Sequence, residues 1–363
     1  MYLIASIVSI LVLWADWYLW KKYFKGRGLL GWLWWLPTVL LVLFVIGAIS
    51  GIWHTFFMRA SYLLIFVSVF PKFIYILFHK LIGRKIALCL SAGAILFFIY
   101  GMTIGFHRLS IKEEVFESED IPAAFDGYRI VQLSDLHLGT YSSGSKFITR
   151  IIDSTLALKP DLIVFTGDMV NTDAAEMLPF MDNLKRLAAP DGVFSITGNH
   201  DYGFDKAAID QAFGQIKELE ESAGMQLLAN GHVALARGAD TLYLAGVENT
   251  SKNFFISRGD LSKALEGIPE GSFKILLTHD PKHWRAEVLP NSDVQLTLSG
   301  HTHAMQLKIF GLSPAALMFK EWGGKYLSED GKRMLNVSEG IGGILPFRVG
   351  ADPQIVVITL KKK

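Results

Sequence analysis

Cysteine is nearly absent. Cys89 is the one thiol in 363 residues, which excludes an intrachain disulfide framework and a cysteine-rich zinc module. Acidic residues are missing from the first third. Through Gly105 the single carboxylate is Asp16, against nine basic residues: Lys21, Lys22, Lys25, Arg27, Arg59, Lys72, Lys80, Arg84 and Lys85. The rest carries 26 Lys and Arg against 33 Asp and Glu, so an overall charge of +1 hides a +8 front and a −7 remainder. A strongly basic surface is therefore lacking where a nucleic-acid partner would need one. Repeats of fixed period and long low-complexity linkers are also absent, and a 51% hydrophobic content excludes disorder.

What the front third has is apolar runs. They cover about 2–20, 29–50, 56–79 and 86–105, each near the ~20 residues that a helix needs to cross a bilayer. Seven of the nine tryptophans precede His54, as an interfacial belt requires. The first run lacks a basic start and a small-residue cleavage site, so it is not a cleavable signal peptide. Pro71 and Lys72 interrupt the third run, which is read as a kinked span with Lys72 snorkelling to the nearer surface; a re-entrant segment is the alternative. Asp16, between Trp14 and Trp17, is expected at the interface, and no paired charges within the spans resemble a transport pathway. The basic loops at 21–27 and 80–85 belong in the cytoplasm by the positive-inside rule. Four spans then place both termini, and the large domain, outside.

The expected organisation is a membrane region at 1–106 with about four helices, a connector at 107–127 that permits an edge strand, and a soluble domain at 128–363. Within the last, short apolar runs alternate with helical patterns. Strands are expected at 128–134, 162–166, 193–197, 243–246, 274–278, 294–299, 334–338 and 354–360, and helices at 146–158, 174–187, 206–222 and 261–265. Strand–helix alternation followed by closely spaced strands predicts an α/β fold of two sheets flanked by helices.

Five strand candidates end in metal-ligating chemistry: Asp135-Leu136-His137, Gly167-Asp168, Gly198-Asn199-His200-Asp201, Thr278-His279 and Gly300-His301-Thr302-His303. Open α/β sheets bind ligands beyond the carboxyl ends of their strands, so the five loops can meet at one rim. Half of the ten histidines lie in them. His283, four residues after His279, is expected to be exposed.

These motifs, in this order, resemble the calcineurin-like metallophosphoesterases from about Phe125 to Leu360. The ending Ser338-Glu339-Gly340-Ile341-Gly342 with Leu345-Pro346-Phe347-Arg348 is similar to that of bacterial membrane-associated members. The resemblance implies a four-layer αββα sandwich, a bacterial inner-membrane location, and two divalent cations, manganese favoured with iron, cobalt or zinc as alternatives. It assigns Asp135, His137, Asp168 and His303 to one cation and Asp168, Asn199, His279 and His301 to the other, with Asp168 bridging. It implies attack on phosphorus by a hydroxide shared between the cations, His200 as the acid that protonates the leaving alkoxide, and Asp201 orienting His200. Ala304-Met305 stand where relatives commonly carry two glycines, which leaves the ligands intact and the substrate pocket open to revision. The expected partners are a lipid bilayer and a phosphorylated small molecule or lipid, such as a phospholipid or an envelope phosphodiester. A cytoplasm-facing UDP-diacylglucosamine-type pyrophosphatase and a non-catalytic metal-binding regulatory module stay open. Residues 312–322 are expected to close the core, a cap over an apolar substrate tail being the other reading.

Overall fold

The computed structural model describes residues 2–49, 54–203, 205, 207–251 and 257–363; Ser50, Trp53 and Lys206, which the sequence reading places at run or helix ends, lie outside them. The chain divides into two units, one of residues 1–104 with 345–347 and one of residues 105–344 with 348–363.

Among the described residues, three helical segments are long and apolar enough to cross a membrane: Leu29–Gly47, Arg59–Phe78 and Arg84–His107. A further helix covers Tyr2–Leu19. The third apolar run continues through Pro71. A π-helical turn at Ile65–Val69 directly precedes the proline-containing helix Phe70–Phe78, and such a turn absorbs the ring's clash with the preceding carbonyl. Two expectations are corrected. Asp16 is fully buried, and Lys72 turns inward to it, Nζ to Oδ1 at 2.5 Å, while Thr38 donates to the other oxygen. In an apolar interior an isolated charge is too costly to keep, so the two residues pair instead of each seeking the surface.

The described residues of the second unit form twelve strands. In chain order they are β1 Ser110–Ser118, β2 Arg129–Leu133, β3 Leu162–Thr166, β4 Val193–Ile196, β5 Gln226–Leu227, β6 Gly231–Arg237, β7 Asp240–Gly246, β8 Phe273–Leu277, β9 Leu296–Ser299, β10 Gly324–Leu327, β11 Met334–Val337 and β12 Gln354–Lys362. One six-stranded sheet has the order β1-β12-β2-β3-β4-β5 and the other β10-β11-β9-β8-β7-β6. β2, β3 and β4 run parallel, as do β7, β8 and β9, so their carboxyl ends share an edge within each sheet.

Period-2 alternation builds the layers. Along β3, Leu162 and Val164 enter the core between the sheets, whereas Ile163 and Phe165 face the helix Lys146–Ala157 through Ile148, Ile151 and Ile152. Along β8, Ile275 and Leu277 join the inter-sheet core, and Leu276 faces outward to Trp284, Val288 and Ala264. The result is helix, sheet, sheet, helix. Strands buried on both faces read as unbroken apolar runs, which is why they were visible in the sequence.

The expected helix at 174–187 is a 3-10 turn at Ala174–Phe180 followed by one α-helical turn at Met181–Leu184, since Pro179 cannot donate the α-helical hydrogen bond. His283 is buried, not exposed: Nδ1 lies 3.0 Å from Thr278 Oγ1 and Nε2 3.3 Å from Glu287.

Candidate metal centre

β2, β3, β4, β8 and β9 each run directly into one of the five ligand loops. In the described residues, one ligand atom from each of Asp135, His137, Asp168 and His303 lies within 4.8 Å of the others, and so do ligand atoms of Asp168, His279 and His301. Asn199 joins the second group, its Oδ1 3.2 Å from His279 Nε2. His279 Nε2 is 3.1 Å from Asp168 Oδ2, and His137 Nε2 is 3.6 Å from the same oxygen. The structure therefore brings the seven expected ligands into two clusters with Asp168 common to both.

The loops are folded under strain. Asp135, His137, Asp168, His301 and His303 all have φ between +48° and +74°, a left-handed conformation that costs a non-glycine residue roughly 1–2 kcal/mol. Such strain persists where surrounding contacts over-determine it, and it gathers at functional sites. The same turn continues through Ala304 and Met305 at φ 49° and 47°, so glycine would be at ease where relatives carry it. Gly198 and Gly300 are among the glycines that are sterically required. A Cβ on Gly198 would come within 2.2 Å of Asp168 Oδ1, and one on Gly300 within 2.3 Å of Asp135 Oδ2.

Outer contacts fix which ring atoms face inward. His279 Nδ1 donates to the Thr166 carbonyl at 2.7 Å, and His137 Nδ1 donates to Asn171 Oδ1 at 3.0 Å. Ser134 Oγ donates to Asp135 Oδ2 at 2.5 Å. The buried Arg348 places Nη2 3.3 Å from His303 Nδ1. Such anchoring of the far side of a ligand is how a metal site sets tautomer and orientation.

Protonation follows from burial and neighbours. Burial drives the His137 pKa down to about 3 and that of His301, with His279 adding, to about 4. His303 falls well below its usual value through burial, then through His137 and Arg348. For His279, burial acts against the proton, but the Asp168 carboxylate outweighs it and lifts the pKa to about 10. Burial alone would raise Asp168, yet His279 and the other imidazoles hold it well below the carboxylate range. Burial pushes Asp135 up to about 6.

The donor set fits divalent cations. Imidazoles with their inward nitrogens only 3.1–3.3 Å apart, beside an anionic aspartate and without thiolate, are a ligand field for manganese, iron, cobalt or zinc.

Asp201 sits differently from expectation. The Asp201 carboxylate accepts four backbone N–H groups: Asp168 at 2.9 Å and Gly198 at 2.8 Å on Oδ2, Met169 at 2.9 Å and Val170 at 3.3 Å on Oδ1. It ties the loop of Asp168 to the loop of Asn199. The His200 ring is held by a group that the sequence reading did not select: Nδ1 donates to the Asn171 carbonyl at 2.8 Å. No sequence signal marks Asn171, because its carbonyl would serve with any side chain.

Residues 312–322 do not close the core. Leu312 is 76%, Leu317 90% and Met318 61% exposed, and Phe310 is fully exposed. Only Ser313, Ala315 and Glu321 in that segment are buried. Phe319 packs its edge against the candidate ligand His301, ring centroids 5.6 Å apart, and Lys282 Nζ lies 4.3 Å above the Phe319 ring.

Two facing sheets whose strand ends assemble two carboxylate–imidazole clusters around one shared aspartate define a metal-dependent phosphoesterase. The chain belongs to the calcineurin-like phosphoesterase family, which it matches over residues 128–305. It is 33% identical over 268 residues to the metallophosphoesterase YkuE of Bacillus subtilis (strain 168), covering 70% of this chain and 86% of that protein. It is 30% identical over 286 residues to a transmembrane protein with metallophosphoesterase domain of Danio rerio, covering 77% of this chain and 63% of that one. A metallophosphoesterase of Aquifex aeolicus (strain VF5) is 28% identical over 260 residues, covering 70% of this chain and 93% of the relative.

Proposed function

We propose that this chain is a membrane-anchored phosphoesterase that hydrolyses a phosphoester or pyrophosphate bond of an amphiphile, a phospholipid or an envelope phosphodiester, outside the cytoplasm. Asp135, His137, Asp168 and His303 would hold one divalent cation, and Asp168, Asn199, His279 and His301 the other. When bound, such a pair lowers the pKa of a shared water and offsets charge on phosphoryl oxygens. The protein's part is positional. Asp168 divides one carboxylate between the clusters, and Asp201 keeps the two loops that carry Asp168 and Asn199 in register. Because a carbonyl only accepts, Asn171 fixes one His200 proton on Nδ1; with a second proton on Nε2, the imidazolium would give that proton to the departing alkoxide and return to the neutral Nδ1–H ring. A positioned acid of this kind contributes about 10²–10⁴ in rate.

The observation that carries the substrate class is the exposed apolar ridge of Phe310, Leu312, Leu317 and Met318, joined through Phe319 to the ligand His301. Contiguous exposed apolar surface marks a binding site for another apolar body. Lys282 beside Phe319 adds a cation at the same place, suited to the phosphate of an amphiphile. The manganese-loaded protein should cleave both a soluble aryl phosphodiester and a phospholipid in mixed micelles. A Leu317→Ser, Met318→Ser double variant should keep the first activity and lose the second through a raised KM. Equal loss on both substrates would refute the ridge as a tail site, and no hydrolysis with any divalent cation would favour a regulatory module.

The location rests on the basic loops at 21–27 and 80–85. Protease added to cells with an opened envelope should digest the chain after Arg108 while cytoplasmic markers survive. Protection of that region would instead support the cytoplasm-facing nucleotide-lipid pyrophosphatase.

A further inference from the structure

The geometry points to a second site, inside the membrane unit: we propose that its helices hold one anionic glycerophospholipid, with the phosphate on Arg27 and Arg84 and acyl chain in the cavity between the helices. A cavity of about 760 Å³ opens there, in the size range of sites for whole small ligands. Its apolar wall includes Leu33, Leu64, Val67, Leu88, Ile95 and Ile99, contributed by all three segments long enough to span. The wall alone would suit any lipid tail, so charge decides the occupant.

Three cations line the cavity: Arg27, Lys72 and Arg84. Only one of them is neutralised within the unit. Asp16 is the single carboxylate through Gly105, and it is already engaged by Lys72 at 2.5 Å and by Thr38. That leaves two guanidinium groups on one cavity with no carboxylate of the unit to meet them. Both are solvent-exposed, Arg27 in the turn before the helix at Leu29 and Arg84 at the first residue of its helix. The Arg84 guanidinium stands 5.0 Å over the Tyr23 ring, and the Tyr23 hydroxyl pairs with Tyr75 at 2.6 Å, so phenolic groups are offered beside Arg84 as well.

A guanidinium presents a planar fork that matches phosphate oxygens in pairs. The two loops that supply these arginines are the two basic loops assigned to one membrane face, which sets the cations at headgroup depth with the apolar wall leading into the hydrocarbon. A free phosphate would leave that wall unmatched, and a zwitterionic lipid would bring its own cation to the arginines. An anionic phospholipid satisfies both halves.

The test uses the full-length protein, delipidated in detergent and examined by native mass spectrometry with dioleoyl phosphatidylglycerol, dioleoyl phosphatidylcholine or inorganic phosphate. One phosphatidylglycerol per chain should be retained, at least about tenfold more tightly than phosphatidylcholine, a ratio that corresponds to about 1.4 kcal/mol. Arg27→Gln with Arg84→Gln should bring the two lipids to equal affinity, with melting temperature and hydrolysis of a soluble aryl phosphodiester unchanged. Ile95→Trp, which fills the wall and keeps both cations, should weaken phosphatidylglycerol as well, and it decides the matter if the double variant does not fold. Equal binding of the two lipids by the parent protein, retention by the double variant, or displacement of the lipid by inorganic phosphate alone would overturn the assignment.

Discussion

Replacing Asp201 by Asn separates two roles that the sequence motif cannot distinguish. If Asp201 acts on the His200 ring, the substitution slows turnover and leaves the metals in place. If it acts on the loops, as the four amide contacts indicate, the damage is structural and reaches the metals. Each carboxylate oxygen accepts two backbone N–H groups. A carboxamide keeps one oxygen and turns the other into a donor, so whichever way it rotates, two buried N–H groups face an N–H₂. A buried donor left unmet costs about 1–3 kcal/mol, which gives about 2–6 kcal/mol for the pair. That is a large share of a domain's ~5–15 kcal/mol. At about 2–4 °C per kcal/mol for a domain of roughly this size, the melting temperature of the full-length protein should fall by about 5–20 °C. Asp168 and Asn199 sit on the two loops that would part, so metal content measured by elemental analysis should fall too. A variant with the parent melting temperature and full metal content but slow turnover would refute this reasoning and return Asp201 to the proton path of His200.

His200→Ala should keep its metals and lose about 10²–10⁴ in rate, most for substrates with poor alcohol leaving groups; a uniform loss across leaving groups, read from a series of aryl and alkyl phosphodiesters, would exclude a general acid. Glu220 supplies a pH test away from the metals. It is fully buried, accepts from Ser195 Oγ at 2.5 Å, and burial pushes its pKa up to about 8. A carboxyl raised above its unfolded value stabilises fully below about pH 4.5, and that contribution is lost as pH rises through about 8. Over that window the loss reaches up to about 5 kcal/mol. Glu220→Gln should therefore melt well above the parent protein at pH 8.5 and close to it at pH 5, and parallel pH profiles of the two would show that Glu220 is ionised when folded.

The strand pattern and the candidate ligands were set by the sequence alone. A strand buried on both faces has to be apolar along its length, and a loop at its carboxyl end has to carry the chemistry, so β3, β8 and β9 and the residues Asp168, His279 and His301 were legible as local signals. Tertiary structure decided everything that depends on what lies across from a residue. Asp16 and Lys72 are separated by 56 positions, and neither declares its partner; only the apolar packing of the helices makes pairing cheaper than reaching water. Asn171 acts on His200 through a carbonyl that every residue has, and Arg348 reaches His303 across 45 positions. Asp201 belongs to a recognisable motif, yet its work was set by four amides brought to it by two loops. The same holds for the segment after His303. Its leucines and methionine have the composition of a core, but the strained turn at Ala304 and Met305 carries the chain out over the site, and composition cannot say which side of a turn meets solvent.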